Sequence, residues 1–232
     1  LVLGTSAVIY PLVFKDNSIL HDMIVMLASS AILVALVYQG GIERWQGMAM
    51  FSLLVLYVLF KFYYKDVSEP EELLTPEEHS DIGNVILASG ILVTGLIAVS
   101  LGSEFLVRGA VKLAEIAAIP ESLIGLSLVA IGTSLPEMSV GIQAARRKEN
   151  GIIIGNVVGS NVFNILSILG MTATIKRLPF DTVEILPDVW FMMGTMILLT
   201  ALAYGIKKTG RSGGVFMLLI YVGFITYRYL SY

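Results

Sequence analysis

The feature that most constrains the fold is a series of apolar runs, each about as long as a bilayer is thick. A helix needs about 20 apolar residues to cross the hydrocarbon core. Only 14% of the 232 residues are charged, against about 25% in a typical soluble domain. Full spans are predicted at 22–39, 46–64, 82–106, 120–145, 150–172, 186–206 and 213–231, and a partial one at 1–14. The fold class is therefore predicted to be an all-α membrane protein with about seven full spans and one partial span.

The chain also repeats itself. At an offset of 166, residues 3–38 give 14 identities without a gap. Beyond Leu and Ala, the matches include Gly4–Gly170, Phe14–Phe180, Asp22–Asp188 and Tyr38–Tyr204. Further on, a two-residue slip that aligns Tyr57 with Tyr221 is predicted to restore the match. Because an odd number of spans separates the copies, they are predicted to lie in opposite orientations, an architecture of secondary transporters.

Three parts are predicted along the chain. Residues 1–64 form the remainder of the first inverted repeat, 65–81 an acidic linker, and 82–232 the second inverted repeat. The second copy has 87 residues before Leu169, whereas the first has two before Leu3. The N-terminal portion of the first repeat is therefore expected to be missing. Basic residues are more frequent in the loops on the side of the linker, which predicts that the linker is cytoplasmic.

The motif GTSLPE at 132–137 interrupts the apolar span 120–145. Glu137 places a carboxyl group at membrane depth, where a charge costs roughly 3 kcal/mol or more and usually faces a polar pathway. Pro136 removes a backbone donor, which frees carbonyl oxygens near Ala130. Thr133 and Ser134 add hydroxyls beside the acid. A broken helix, free carbonyls and a buried acid together predict half of a cation site.

The next span carries a polar stripe beside a glycine stripe. Asn156, Ser160 and Asn164 are spaced by four, so they share a helix face, and Asn161 lies on the neighbouring one. The polar groups could form hydrogen bonds between helices or bind a cation, and Glu137 nearby favours the second interpretation. The small residues beside them predict a close helix approach; they are Gly151, Gly155 and Gly159.

Calcium takes 6–8 oxygen ligands. This half of the chain can offer Glu137, the amides of Asn161 and Asn164, and the hydroxyls of Thr133, Ser134 and Ser160. Glu137 supplies one negative charge, so a second carboxylate is expected from the portion of the first repeat that would precede Leu1. Na⁺ would need part of the same oxygen set, and competition between the two ions predicts exchange.

GTSLPE followed by GNVVGSNVFN resembles the second signature repeat of the cation/calcium exchanger superfamily, which includes Na⁺/Ca²⁺ exchangers and their prokaryotic relatives. The resemblance implies an inverted-repeat exchanger fold with discontinuous helices and ten spans in the complete protein. It implies ion ligands at Ala130, through its backbone carbonyl, and at Thr133, Ser134, Glu137, Ser160 and Asn164. Many relatives carry Asp at the last of these positions, so the Asn here removes one possible charge.

The resemblance implies an antiporter that exchanges Na⁺ for Ca²⁺ by alternating access, in the plasma membrane of a prokaryote. The alternative is an H⁺-coupled exchanger in which Glu137 is protonated during part of the cycle, and K⁺ coupling also stays open. An inverted repeat within one chain favours a transporter over a channel built as a symmetric oligomer. A monomer is sufficient in principle.

Other classes fit poorly. The chain has no cysteine, so thiolate metal sites and disulfides are excluded. No Gly-x-Ser-x-Gly motif occurs, and neither histidine is near Glu137 in sequence, so no enzyme is predicted. A formal net charge of -3 does not suggest nucleic acid. The expected partners are the lipid bilayer and the transported ions, with no cofactor.

Overall fold

Long apolar helices make up most of the part of the chain that the computed structural model describes, residues 1–14, 17–63, 82–116, 130–206 and 208–231. The helices are α1 (Val2–Ile9), α2 (Asn17–Tyr38), α3 (Arg44–Tyr63), α4 (Ile82–Ile116), α5 (Ala130–Thr133), α6 (Leu135–Arg147), α7 (Asn150–Phe163), a π-helical segment (Asn164–Leu169), α8 (Gly170–Ile175), α9 (Thr182–Gly205) and α10 (Arg211–Leu230). Four two-residue strands lie between them: β1 (Leu12–Val13), β2 (Gly41–Ile42), β3 (Leu178–Pro179) and β4 (Lys208–Thr209).

The predicted all-α membrane fold is confirmed. Within the described residues, six helical segments are long and apolar enough to span a membrane. They are Ile19–Tyr38, Arg44–Tyr63, Ser89–Gly109, Asn150–Ile175, Thr182–Gly205 and Arg211–Leu230. The partial span at 1–14 is the short helix α1 followed by β1. The predicted span 120–145 begins outside the described residues and continues as α5 and α6. The predicted linker at 65–81 also lies outside them.

Helix α4 is longer than the predicted span 82–106. It has 35 residues, so at 1.5 Å per residue it is about 50 Å long, which exceeds the hydrocarbon core of about 30 Å. Its apolar side chains are largely exposed, including Leu92 and Phe105. The helix contacts α5 and α6, so it packs against the broken helix that carries Glu137.

The strands pair across the two sequence copies. Leu12 of β1 lies opposite Thr209 of β4, and Ile42 of β2 lies opposite Leu178 of β3. Leu178 is the repeat partner of Leu12, so each pair is the image of the other. The same contact made twice, with the copies exchanged, is what a pseudo-twofold relation between repeats produces.

The predicted two-residue slip is wrong. β2 corresponds to β4 at an offset of 167, and α3 begins at Arg44 where α10 begins at Arg211. One extra residue in the loop before β4 therefore restores the alignment, and it pairs Gly47 with Gly214. The Tyr57–Tyr221 match was coincidental, since aromatic and aliphatic residues recur throughout both helices.

Helices α2 and α9, which are copies of each other, pack antiparallel. The end of α2 meets the start of α9, where the Trp190 indole donates to the Tyr38 hydroxyl at 3.1 Å and the Thr182 hydroxyl donates to the Val37 carbonyl at 3.2 Å. Equivalent helices that run in opposite directions place the two copies in opposite orientations, as the sequence predicted. The core is buried between these helices and α7.

Two glycine crossings hold the outer helices close to this core. A Cβ added to Gly47 of α3 would lie 2.6 Å from the Gly170 carbonyl oxygen, and one added to Gly214 of α10 would lie 2.8 Å from the Gly4 carbonyl oxygen. Backbones approach this closely only where the interface lacks side chains. The two crossings are repeat images of each other.

No described residue makes the close approach that was predicted at the α7 glycine stripe. A Cβ added to Gly151, Gly155 or Gly159 would meet no described atom within 4 Å, and all three residues are exposed. Spacing by four gives a smooth helix face but does not determine which helix covers it.

Candidate cation-binding site

The helix break predicted at GTSLPE is present. Ser134 separates α5 from α6, and its N–H donates to the Ile131 carbonyl at 3.1 Å, a tight 3₁₀-type contact. Pro136 has no N–H, so the Gly132 carbonyl loses the helical donor that residue 136 would otherwise supply. The freed carbonyl therefore belongs to Gly132, two residues after Ala130.

Glycine is needed at position 132 because α4 passes directly behind the break. A Cβ added to Gly132 would overlap the Val107 side chain of α4. Gly132 itself is buried. The long helix α4 thus supports the outer side of the broken helix, while the opposite side faces the interior.

On the interior side lies a cavity of about 570 Å³. Its wall includes Ser134, Glu137, Ser160 and Asn164, four of the six residues predicted as ion ligands, together with Asn161. The remaining wall is largely apolar and comes from α1, α2, α9 and α10. A mostly apolar cavity with a few convergent polar groups is typical of a binding site for a small ligand.

Glu137 is the carboxylate of this group. Its Oε2 atom is buried and has no hydrogen-bond partner among the described residues. Its backbone carbonyl accepts a hydrogen bond from the Asn156 side chain at 3.0 Å, which ties α6 to α7. A buried carboxylate oxygen without a partner is costly unless something else coordinates it, and a cation would do so.

The polar residues on α7 differ in what they contact: one bonds a neighbouring helix, and others lie in the cavity wall. Asn156 bonds the neighbouring helix and is absent from the cavity wall as described. Ser160 and Asn161 lie in the wall and donate to the Val157 carbonyl at 3.1 and 2.8 Å. Because the Ser160 hydroxyl proton and the Asn161 amide nitrogen point to this carbonyl, the Ser160 hydroxyl oxygen and the Asn161 amide oxygen are available as acceptors.

Asn164 occupies the start of the π-helical segment, which the sequence did not predict. A π-helical turn widens the helix by one residue and is frequent at functional sites. Here it begins at a predicted ligand and runs to Leu169. Hydrophobic periodicity cannot indicate such a turn because the apolar pattern around it continues without interruption.

Two predicted ligands remain. Thr133 is exposed and is not part of the described wall of the cavity. Ala130 begins α5, and the surroundings of its side chain lie outside the described part of the structure. Their ligand roles remain predictions based on the family resemblance.

Sequence reasoning missed a second acidic residue in the wall, Asp188 of α9. Its Oδ1 lies 2.9 Å from Nε of Arg228 in α10, and Nη2 of the same arginine donates to Oδ2 at 3.2 Å. Arg228 is 6% exposed. The available signal was one acid inside the span 186–206, one base inside the span 213–231, and the repeat match of Asp188 to Asp22.

Within the described residues, no three His, Cys, Asp or Glu side chains are grouped so that they could hold a metal ion. The cavity instead offers one unpaired carboxylate with hydroxyl and amide oxygens. Such a set suits a hard cation that also keeps water or binds further oxygens. It is a poor site for a tightly held transition metal, which prefers imidazole or thiolate ligands.

Comparison with known protein families gives a match over most of the second half of the chain. The family described as "Sodium/calcium exchanger protein" matches residues 87–230. Those residues contain the broken helix, the polar stripe and the Asp188–Arg228 pair.

Individual relatives extend the match to nearly the whole chain. The uncharacterized membrane protein MJ0091 of Methanocaldococcus jannaschii is 32% identical over 96% of this chain and 70% of the relative. The sodium/calcium exchanger MaX1 of Methanosarcina acetivorans is 36% identical over 58% of this chain and 38% of that protein. The solved structure of the sodium-calcium exchanger NCX_Mj, soaked with Na⁺ and Sr²⁺, superposes with a TM-score of 0.76 at 31% identity, covering 97% of this chain and 71% of that one.

Proposed function

Because the chain belongs to the sodium/calcium exchanger protein family, a family of membrane cation antiporters, we propose that it exchanges Na⁺ for Ca²⁺ by alternating access. The observation that carries the proposal is the buried, unpartnered Oε2 of Glu137 in a cavity it shares with Ser134, Ser160 and Asn164. These side chains would bind the transported cation as substrate. Thr133 and the backbone carbonyl of Ala130, both in α5, are proposed as further ligands.

The chemistry of the cavity supports a hard cation. Glu137 offers a carboxylate, Ser134 and Ser160 offer hydroxyl oxygens, and Asn164 offers an amide oxygen. Ca²⁺ would use these oxygens and complete its shell of 6–8 ligands with water or further protein groups. Na⁺ needs fewer ligands from the same set, so the two ions would compete for Glu137. That competition is the physical basis of exchange.

Two related proteins support Na⁺ as the coupling ion. MaX1 is named a sodium/calcium exchanger, and NCX_Mj was studied with Na⁺ and with Ca²⁺ or Sr²⁺. Both names refer to those proteins, and the assignment to this chain is the proposal. MaX1 and MJ0091 come from archaea, which supports a location in the plasma membrane of a prokaryote.

The inverted arrangement of the two copies supports alternating access. The strand pair and the glycine crossing each occur twice, and in the second occurrence the two copies exchange places. In transporters with inverted repeats, alternating access is a movement of one repeat or bundle against the other around the site. Helices α2 and α9, which pack antiparallel, are the natural fixed centre of that movement.

The test is ⁴⁵Ca²⁺ uptake into Na⁺-loaded proteoliposomes that contain the protein. We expect uptake to require the outward Na⁺ gradient and to be lost in Glu137→Gln. Glu115→Gln makes the same chemical change at an exposed residue near the end of α4 and should leave uptake intact. Uptake driven equally by a proton gradient without Na⁺ would overturn Na⁺ coupling and support the H⁺-coupled alternative. No Ca²⁺ movement under either gradient would contradict calcium transport.

A further inference from the structure

A charged pair, Asp188 and Arg228, lies at the edge of the cation cavity. Asp188 lies in the cavity wall, while Arg228 sits behind it and outside the described wall. The ion pair closes at 2.9 Å between Arg228 Nε and Asp188 Oδ1. The arginine side chain is 8% exposed and the aspartate side chain 31%, so the carboxylate is the member of the pair that faces the cavity.

On the side away from the cavity, the arginine is held by protein groups and is largely buried. Arg228 Nη2 also donates to the Glu184 carbonyl at 3.3 Å, which anchors the guanidinium to the α9 backbone. One turn further into the cavity, the rings of Phe191 and Phe224 stack with centroids 3.7 Å apart and planes 5° apart. Because the guanidinium is largely buried, the pair is screened less than a solvent-exposed pair would be.

We infer that the Asp188–Arg228 pair sets the net charge of the cation cavity, with Arg228 acting as a resident counter-ion that keeps Asp188 from serving as a second carboxylate ligand. The inference rests on the proposed function, since it assumes that cations occupy the cavity beside Glu137. With the pair intact, the wall presents one net negative charge, from Glu137. Without Arg228 it would present two.

The repeat supplies a matched pair elsewhere. Lys61 Nζ lies 2.9 Å from Asp22 Oδ1, at the positions in α3 and α2 that correspond to Arg228 and Asp188. The Tyr57 hydroxyl also donates to Asp22 at 2.7 Å. The cation of this pair is more exposed, at 40% for the Lys61 side chain against 8% for that of Arg228, and Asp22 is absent from the described cavity wall. Solvent screens it, so its charge should have little effect on a cation in the cavity.

The expected effects follow from Coulomb's law. The Coulomb energy is proportional to the charge of the ion, so if the removal of one unit charge changes the affinity for a monovalent cation by about tenfold, it changes the affinity for a divalent cation by about a hundredfold. Arg228→Gln should therefore tighten Ca²⁺ binding far more than Na⁺ binding. Asp188→Asn should weaken both in the same ratio, since it leaves the guanidinium unopposed. The pair thus determines the preference between divalent and monovalent ions.

The experiment measures equilibrium binding of ⁴⁵Ca²⁺ and ²²Na⁺ to the purified protein, for the wild type, both single variants and the double variant Asp188→Asn/Arg228→Gln. We expect shifts of opposite sign in the single variants and a return toward wild-type affinity in the double variant. Arg228→Lys keeps the charge and should keep the affinities. Lys61→Gln is the control and should leave both affinities unchanged.

Thermal unfolding of the same proteins separates this role from a structural one. If Arg228→Gln does not fold, Asp188→Asn and the double variant still test the sign of the effect. Lower stability in the single variants with unchanged affinities would show a purely structural pair and overturn the inference. Shifts in the same direction in both single variants would also overturn it. Wild-type protein that binds neither ion would contradict the proposed function, and the inference with it.

Discussion

The hydroxyl of Ser30 donates a hydrogen bond to the sulfur of Met196 at 2.7 Å, and the two residues occupy the same position in the two sequence copies. A residue can touch its own repeat partner only where the pseudo-twofold axis passes between them. Both side chains are buried, at 0% and 5% exposure. The axis that relates the two halves therefore crosses the contact between α2 and α9.

This contact predicts a specific cross-link. The chain has no native cysteine, so the double variant Ser30→Cys/Met196→Cys should form one intramolecular disulfide under a membrane-permeant oxidant. Electrophoresis after limited proteolysis between the halves would detect it as two fragments that stay joined. Ser30→Cys/Ile197→Cys is the control, because Ile197 is 53% exposed and faces away. Equal cross-linking in both variants would contradict the placement of the axis.

The glycine crossings predict where a single methyl group is harmful. Gly47→Ala and Gly214→Ala should each lower the free energy of unfolding by about 1–3 kcal/mol, because the new Cβ would overlap a backbone carbonyl. Gly155→Ala should be neutral or slightly stabilising, since its Cβ would meet no described atom within 4 Å and alanine favours the helix. Thermal unfolding in detergent compares the three. A loss at Gly155 as large as at Gly47 would contradict this difference in packing.

The different contacts of the polar residues on α7 predict that some substitutions there lower ion affinity and others lower stability. Ser160→Ala removes an oxygen from the cavity wall and should weaken Ca²⁺ binding by about tenfold, which corresponds to about 1.4 kcal/mol. Asn156→Ala removes the hydrogen bond to the Glu137 carbonyl and should cost about 1 kcal/mol of stability with a smaller effect on affinity. Binding and unfolding measured on both proteins would show the contrast. An affinity loss at Asn156 greater than at Ser160 would reverse the assignment.

The turn between α6 and α7 predicts a stabilising change. Lys148 ends α6 with φ 64° and ψ 27°, a left-handed conformation that favours glycine. Lys148→Gly should therefore raise the free energy of unfolding by up to about 1 kcal/mol. Lys176 caps α8 with an extended backbone, φ -143° and ψ 128°, so Lys176→Gly should not stabilise. Thermal unfolding of the two variants tests the difference, and equal shifts would argue against the left-handed turn.

Much of the fold could be predicted because local signals determine it. Apolar runs located the spans, and the proline in GTSLPE located the break beside Glu137. The repeat from residue 3 to residue 38 gave the inverted relation, since Gly4, Phe14 and Asp22 match at one offset. In α3 the same method failed, because its long apolar run matches α10 nearly as well at several offsets.

The rest depends on contacts between distant helices, which a local pattern does not record. Asp188 and Arg228 lie in different spans, and nothing in either span alone shows that they pair. The π-helical turn at Asn164 is likewise not marked by any change in the apolar pattern of the sequence. The α7 glycines meet no described helix, and their spacing could not say which helix they would meet, since a small-residue stripe permits a close partner without specifying one.

The strand pairs also fix the order in which the protein can assemble. β1 is made before α2, whereas its partner β4 is made only after α9. β2 must likewise wait for β3. When α1, α2 and α3 have entered the bilayer, an unmatched strand therefore remains at each end of α2. Contacts between residues far apart in sequence form slowly, so the joining of the two copies is a late step that follows insertion. A chain released before β4 is made would lack the β1–β4 pair, and only the β2–β3 pair would join the strands of the two copies.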